Sequence, residues 1–216
     1  MLKVVILTIV PKLTQNEFDS LFSLVSPEQQ EKITRFHFFK DAQNCLLGNV
    51  LIRSEICRTT GLSNKQLQFS TNNFGKPLLV NNLHIHFNIS HTDHYIACAV
   101  SDESVGIDIE LIKPVDIKIA ERFFTTDKIV YVKHGEREQR FYEVWTKKES
   151  YIKWEGKGLY KPLVSFSVLD TYIHTNLYYH KIFENKDAIG HICTTKKELP
   201  SIKILDIATF LQNISL

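Results

Sequence analysis

A chain that carries one order of features twice is constrained to fold as two like units, and this chain of 216 residues does so. In its first half, "RFHFFKD" (35–41) precedes the helical stretch "AQNCLLGNVLIRSEICRTTG", the strand-like "LQFS" and then "GKPLL". In the second, "RFFTTD" (122–127) precedes the helical "RFYEVWTKKESYIKWEGKG" and the strand-like "KPLVSFSV". Each half then runs into a β-rich segment, "HIHFNISHTDHYIACAVSD" in one and "NLYYHKIFENKDAIGHICTT" in the other. The spacing drifts by several residues between the copies, while the order holds.

Leu46, Leu47, Val50, Leu51 and Ile56 recur at three-to-four spacing and predict a long helix that stops at Gly61. Phe141, Val144, Trp145 and Ile152 predict its counterpart, stopping at Gly156. The expected fold is therefore α+β: a pseudo-dimer of two similar halves, 1–102 and 103–216, each a long helix packed on a small antiparallel sheet. A cleft between two such halves is a natural place for a ligand.

Composition narrows the function. Lys plus Arg exceed Asp plus Glu by only two, too even a balance for binding nucleic acid by bulk charge, so charged function must be local. The four cysteines form no C-x-x-C pair, which argues for reduced thiols in a cytoplasm over a zinc site or a disulfide scaffold. The opening "MLKVVILTIV" has a short apolar run and no small-residue cleavage site after it, so it reads as a first strand. No run approaches the roughly 20 apolar residues of a membrane span. A cytoplasmic monomer without membrane or nucleic-acid partners is expected.

Four motifs can carry chemistry, and each has a plain alternative. In "VGIDIE" (105–110), a strand sends Val105, Ile107 and Ile109 to one side and Asp108 and Glu110 to the other. That could be a solvated acidic face or a pair converging on one ion. In "WTKKESYIKW", Glu149 lies one turn after Trp145 and one turn before Lys153, which also describes an ordinary surface ion pair. "FNISHTD" offers Ser90 and His91 after a strand, suited to phosphate oxygens or to a structural hydrogen bond. "FGKPLL" is a turn in which Gly75 and Pro77 present Lys76 rigidly, to an anion or to solvent.

Together these describe one site of three carboxylates, a histidine and at least two lysines. Two carboxylates at about 4 Å repel by on the order of 4 kcal/mol in a surface-like dielectric, so the cluster calls for a cation. Three hard oxygen donors suit Mg²⁺, with Mn²⁺ as the alternative, and Lys and His suit the phosphates that complete its shell. The chemistry indicated is transfer at a pyrophosphate. Neither a P-loop nor a dinucleotide fingerprint is present.

"FGKP", "FNISH", "VGIDIE", "RFF" and "WTKKESYIKWEGKGL" occur in the order and spacing of the 4′-phosphopantetheinyl transferases of the surfactin-synthetase-activating type, which this chain resembles from about Ser26 to Val168. The resemblance implies a pseudo-dimer that binds coenzyme A and Mg²⁺ between its halves. It implies transfer of 4′-phosphopantetheine to a serine of an acyl or peptidyl carrier protein in nonribosomal peptide or polyketide biosynthesis, with release of 3′,5′-ADP. By matching position, Asp108, Glu110 and Glu149 are the implied metal ligands, with Asp108 also against coenzyme A. Glu149 is also the implied base, with a low pKa expected of a metal ligand and water as the alternative proton relay. His91 and Lys153 are implied to hold pyrophosphate oxygens, Lys76, Pro77 and Ser90 to line the nucleotide site, and Lys32 to approach the 3′-phosphate.

The chain departs from the family where further basic residues and a Thr are common: it has Gln29, Asn44 and Cys45, which should weaken the hold on coenzyme A. Residues 113–124 interleave Lys113, Lys118 and Arg122 with Ile117, Ile119, Ala120 and Phe123, an amphipathic helix that covers the core or, as the resemblance implies, docks an acidic carrier protein. A metal-dependent nuclease and a non-catalytic module binding coenzyme A or a carrier are the competing readings. Turnover on an apo carrier, cleavage of nucleic acid, or binding without turnover separates the three.

Overall fold

The computed structural model describes every residue except Pro11, Leu83, residues 169–175 and Ser215. The opening apolar run is strand β1 (Leu2–Thr8), which lacks a polar face because both of its faces are covered. Helices α1 (Gln15–Phe22) and α2 (Pro27–Thr34) follow, with Thr14 and Ser26 as side-chain N-caps. The long helix α3 (Phe39–Thr60) ends where Gly61 turns left-handed at φ 74°. A short hairpin, β2 (Phe69–Thr71) and β3 (Pro77–Leu79), leads to β4 (His86–His91) and β5 (Tyr95–Ser101).

The second half opens with "VGIDIE" as β6 (Val105–Leu111), then the short helices α4 (Ile117–Phe123) and α5 (Thr126–Lys133). The second long helix, α6 (Arg137–Glu155), stops at Gly156, again left-handed at φ 72°. Strands β7 (Tyr178–Glu184), β8 (Ala188–Thr194) and β9 (Ser201–Asp206) and helix α7 (Ile207–Gln212) complete the chain. The expected strand over "KPLVSFSV" does not form: residues 163–165 make one 3₁₀ turn. The carbonyls of Leu163 and Phe166 accept hydrogen bonds from the fully buried Lys148 ammonium, at 2.6 and 2.5 Å, rather than from a neighbouring strand.

Two main sheets carry the fold, ordered β4-β5-β1-β9 and β6-β8-β7. One face of the first packs under α3, with Val5, Leu7, Cys98 and Val100 meeting Leu46, Leu47, Val50 and Leu51. Its other face gives Val4, Ile6, Ala97 and Ala99 to a core shared with Val105, Ile107, Ile109 and Ile192 of the second sheet. Helix α6 covers the far side of that sheet. The order across the molecule is thus helix, sheet, sheet, helix, each half contributing one long helix and the main part of one sheet.

The first sheet is not wholly antiparallel. β9 runs parallel to β1 on its outer edge, pairing Lys3 with Ser201 and Thr8 with Asp206. Leu205, Ile207 and Phe210 accordingly lie in the core under α3, so residues 201–212 pack with the first half although they come last in the chain. No helix of the described residues is long and apolar enough to cross a membrane, and all four cysteines are free thiols.

Candidate active site

The strand alternation resolves into two dissimilar faces. Val105, Ile107 and Ile109 are wholly buried between the sheets. Gly106, Asp108 and Glu110 face α6, which brings Glu149 and Lys153 to them. Asp108 is only 3% exposed, so this is no solvated acidic face. Asp108, Glu110 and Glu149 line a single open pocket of about 380 Å³ with Ser90, His91 and Lys153.

Lys153 Nζ donates to Asp108 Oδ1 at 2.7 Å and to Ser90 Oγ at 3.0 Å, while Ser90 Oγ donates to the same Asp108 oxygen at 2.8 Å. Asp108 Oδ2 is buried with no hydrogen-bond partner. One ammonium therefore stands against three carboxylates, and the electrostatic consequence is visible in the other two. Burial, then the charge of Asp108, pushes Glu110 up to about 7. The same two causes raise Glu149 in the protein without a cation, whereas the low value expected of it is that of a metal-bound carboxylate.

This donor set fits a hard divalent cation: three carboxylates, an orphaned buried oxygen, and no sulfur or paired imidazole. Among the described residues no three His, Cys, Asp or Glu groups yet meet at ligating distance. His91 sits at the pocket's rim with an exposed edge, and burial together with the Lys153 and Lys32 ammonium groups lowers its pKa. Its imidazole is neutral at neutral pH.

Lys76 and Pro77 line a second, adjoining cavity of about 210 Å³, and Lys153 lines both. Lys76 Nζ donates to the carbonyls of Val105 and Trp154, each at 3.2 Å, and burial holds it at about 8. Lys32 lies exposed on α2, outside both cavities but within electrostatic reach of His91. Asn44 is buried and donates to the Thr92 carbonyl at 3.1 Å.

Sequence reasoning missed the groups that hold the halves in register. Asn88 Oδ1 accepts the Ile107 amide at 2.9 Å, so side chains of β4 stitch it to β6 where no backbone ladder runs. Gly106 lets α6 lie directly on β6: a Cβ there would sit 2.1 Å from the Ser150 carbonyl oxygen and 2.2 Å from the Trp154 nitrogen. The glycine in "VGIDIE" was the available signal.

Two family models match the chain, the N-terminal domain of 4′-phosphopantetheinyl transferase over residues 12–103 and the 4′-phosphopantetheinyl transferase superfamily over residues 104–206. A two-half α+β fold whose cleft is matched in this way defines a group-transferring enzyme. Among curated proteins it is similar to 4′-phosphopantetheinyl transferase Sfp of Bacillus subtilis (strain 168), 43% identical over 159 residues, 72% of this chain and 71% of that one. The gsp transferase of Aneurinibacillus migulanus is 35% identical over 216 residues, 96% of this chain and 90% of its own. The psf-1 transferase of Bacillus pumilus is 40% identical over 159 residues, 72% of this chain and 68% of its own. The chain belongs to the 4′-phosphopantetheinyl transferase family, enzymes that use coenzyme A to activate carrier proteins.

Proposed function

We propose that Asp108, Glu110 and Glu149 hold Mg²⁺, or Mn²⁺, beside the pyrophosphate of coenzyme A, and that this chain moves 4′-phosphopantetheine from there to a carrier serine. The carrying observation is Lys153, the single cation shared by the carboxylate pocket and the adjoining cavity. Its ammonium is positioned to hold a pyrophosphate between them, with His91 donating from the rim. The nucleotide then lies along Lys76, Pro77 and Ser90, and Lys32 reaches toward the 3′-phosphate. When bound, the cation neutralises charge on the pyrophosphate.

The serine oxygen forms its bond to the pantetheine-side phosphorus as the bridging P–O bond breaks and 3′,5′-ADP leaves. Glu149, or a water relaying for it, accepts the serine proton, with Glu149 a modest base while it is bound to the cation. The carrier docks on residues 113–124, where Lys113, Lys118 and Arg122 are exposed beside Ile119, itself 39% exposed. In this reading the working unit is a monomer whose own two halves supply the site, and four free thiols suit a cytoplasmic setting in nonribosomal peptide or polyketide biosynthesis.

The test is the mass gain of an apo carrier protein incubated with coenzyme A and Mg²⁺. Asp108→Ala and Glu149→Ala should each abolish the gain and lower Mg²⁺ affinity by calorimetry while the fold persists. Full turnover by a folded Asp108→Ala variant would overturn the assignment.

A further inference from the structure

The hairpin joining β2 and β3 is built around one side chain. Asn72 Oδ1 accepts the backbone amides of Phe74 and Lys76, both at 2.9 Å. Its own amide donates to the Lys76 carbonyl at 2.9 Å, and its carbonyl accepts the Gly75 amide at 3.0 Å. Four hydrogen bonds to a single residue thus fix the turn "NNFGK" and the left-handed Gly75, at φ 85°.

The same side chain reaches across to the other half. Asn72 Nδ2 donates to the Gly156 carbonyl at 2.8 Å, at the residue that caps the C-terminus of α6. Lys76 Nζ, presented by the same turn, bonds the Trp154 carbonyl, and Phe74 at its tip meets Tyr160 edge to face at 5.3 Å. Carbonyls at a helix end otherwise lack partners, so these bonds hold the last turn of α6 against fraying. Lys153 leaves that same turn, three residues before Gly156.

We infer that Asn72 is a positioning residue for the transfer. Through Oδ1 it shapes the turn that lines the adjoining cavity, and through Nδ2 it holds the end of α6 so that Lys153 stays between the two cavities. The inference rests on the placement of coenzyme A across Lys153 described above. Asn72 touches no reacting atom; it sets the distance between the nucleotide side and the carboxylate side of the cleft.

Two variants separate its functions. Asn72→Asp keeps both side-chain acceptor bonds of the turn but turns the donor facing Gly156 into a second carboxylate oxygen, whereas Asn72→Ala removes all three side-chain bonds and leaves the two backbone ones. Steady-state kinetics on an apo carrier, normalised to folded protein by circular dichroism, should show Asn72→Asp with KM for coenzyme A within about threefold of wild type. Its kcat should fall by about tenfold or more, the scale expected for a sub-ångström misplacement of a positioning cation. Asn72→Ala should raise KM and lower kcat together. A folded Asn72→Asp enzyme with wild-type kcat would overturn the inference, as would losses in both variants that vanish on normalisation. Asp108→Ala is run alongside: if it is inert while Asn72→Asp equals wild type, only the role of Asn72 fails, and if it is active, the placement beneath it fails.

Discussion

Replacing Gly106 by Ala perturbs the molecule at a point where strand β6 lies directly on the backbone of helix α6. The new methyl would stand 2.1 Å from Ser150 O, 2.2 Å from Trp154 N and 2.8 Å from Lys153 C. Relief to normal contact at about 3.5 Å requires strand and helix to part by roughly 1.4 Å. None of the three obstructing atoms belongs to a side chain that could rotate away, so the cost lies at or above the upper end of the usual 1–3 kcal/mol for overpacking, about 3 kcal/mol. The same displacement carries Glu149 and Lys153 away from Asp108 and Glu110, and a 1 Å misplacement lowers turnover by on the order of 100-fold. Urea denaturation followed by fluorescence of Trp145 and Trp154, with carrier-modification kinetics on the folded fraction, measures both effects. Gly48→Ala in α3 is the control: its Cβ would meet Ile89 and Ile96 methyls at 3.6 and 3.9 Å, ordinary contact, and the better helix former should add up to about 1 kcal/mol. A Gly106→Ala protein of wild-type stability and activity, or a Gly48→Ala protein equally damaged, refutes the reasoning.

Lys153→Met should cost about 1–3 kcal/mol, because Asp108, its side chain 4% exposed, loses its counter-charge while Lys153 was itself 27% exposed. Chemical denaturation should show this loss alongside greatly weakened turnover, and an unchanged midpoint would count against the ion pair. The raised pKa of Glu110 makes the metal-free protein less stable as pH climbs from about 4.5 towards 7, because the folded state holds a proton that the unfolded chain releases earlier. The loss should be on the order of 2 kcal/mol and level off above pH 7; urea midpoints in chelator should fall over that window. Glu110→Gln should make the fall shallower, with Glu149 contributing in the same direction, and identical pH dependences for Glu110→Gln and wild type would contradict the burial of this carboxylate.

Much of the architecture was legible because it rests on local periodicity. Both long helices and both glycine stops follow from apolar spacing and from the left-handed turn that only glycine makes without cost. The two faces of β6 were likewise plain from strict alternation. What could not be read depends on contacts between distant segments. Nothing in "SIKILD" says that it pairs in parallel with the first strand, since its register is set by residues about 200 positions away. The strand expected at 161–168 failed because Lys148, which reads as a surface cation beside Glu149, is buried and takes the backbone carbonyls there. The raised pKa of Glu149 was equally hidden, since desolvation depends on the walls of the pocket and not on the residue's neighbours in sequence.

The parallel pairing of β9 with β1 bears on how the protein is born. Strand β1 has β5 on one side, roughly 95 residues later, and β9 on the other, about 200 residues later. Its sheet therefore stays open along one edge until β9 has been made, with an apolar strand exposed for that period. Closure of that sheet has high contact order, is intrinsically slow, and comes only when β9 arrives. A nascent chain stalled before residue 201 should for this reason be a client for holdase chaperones, while the released protein should not.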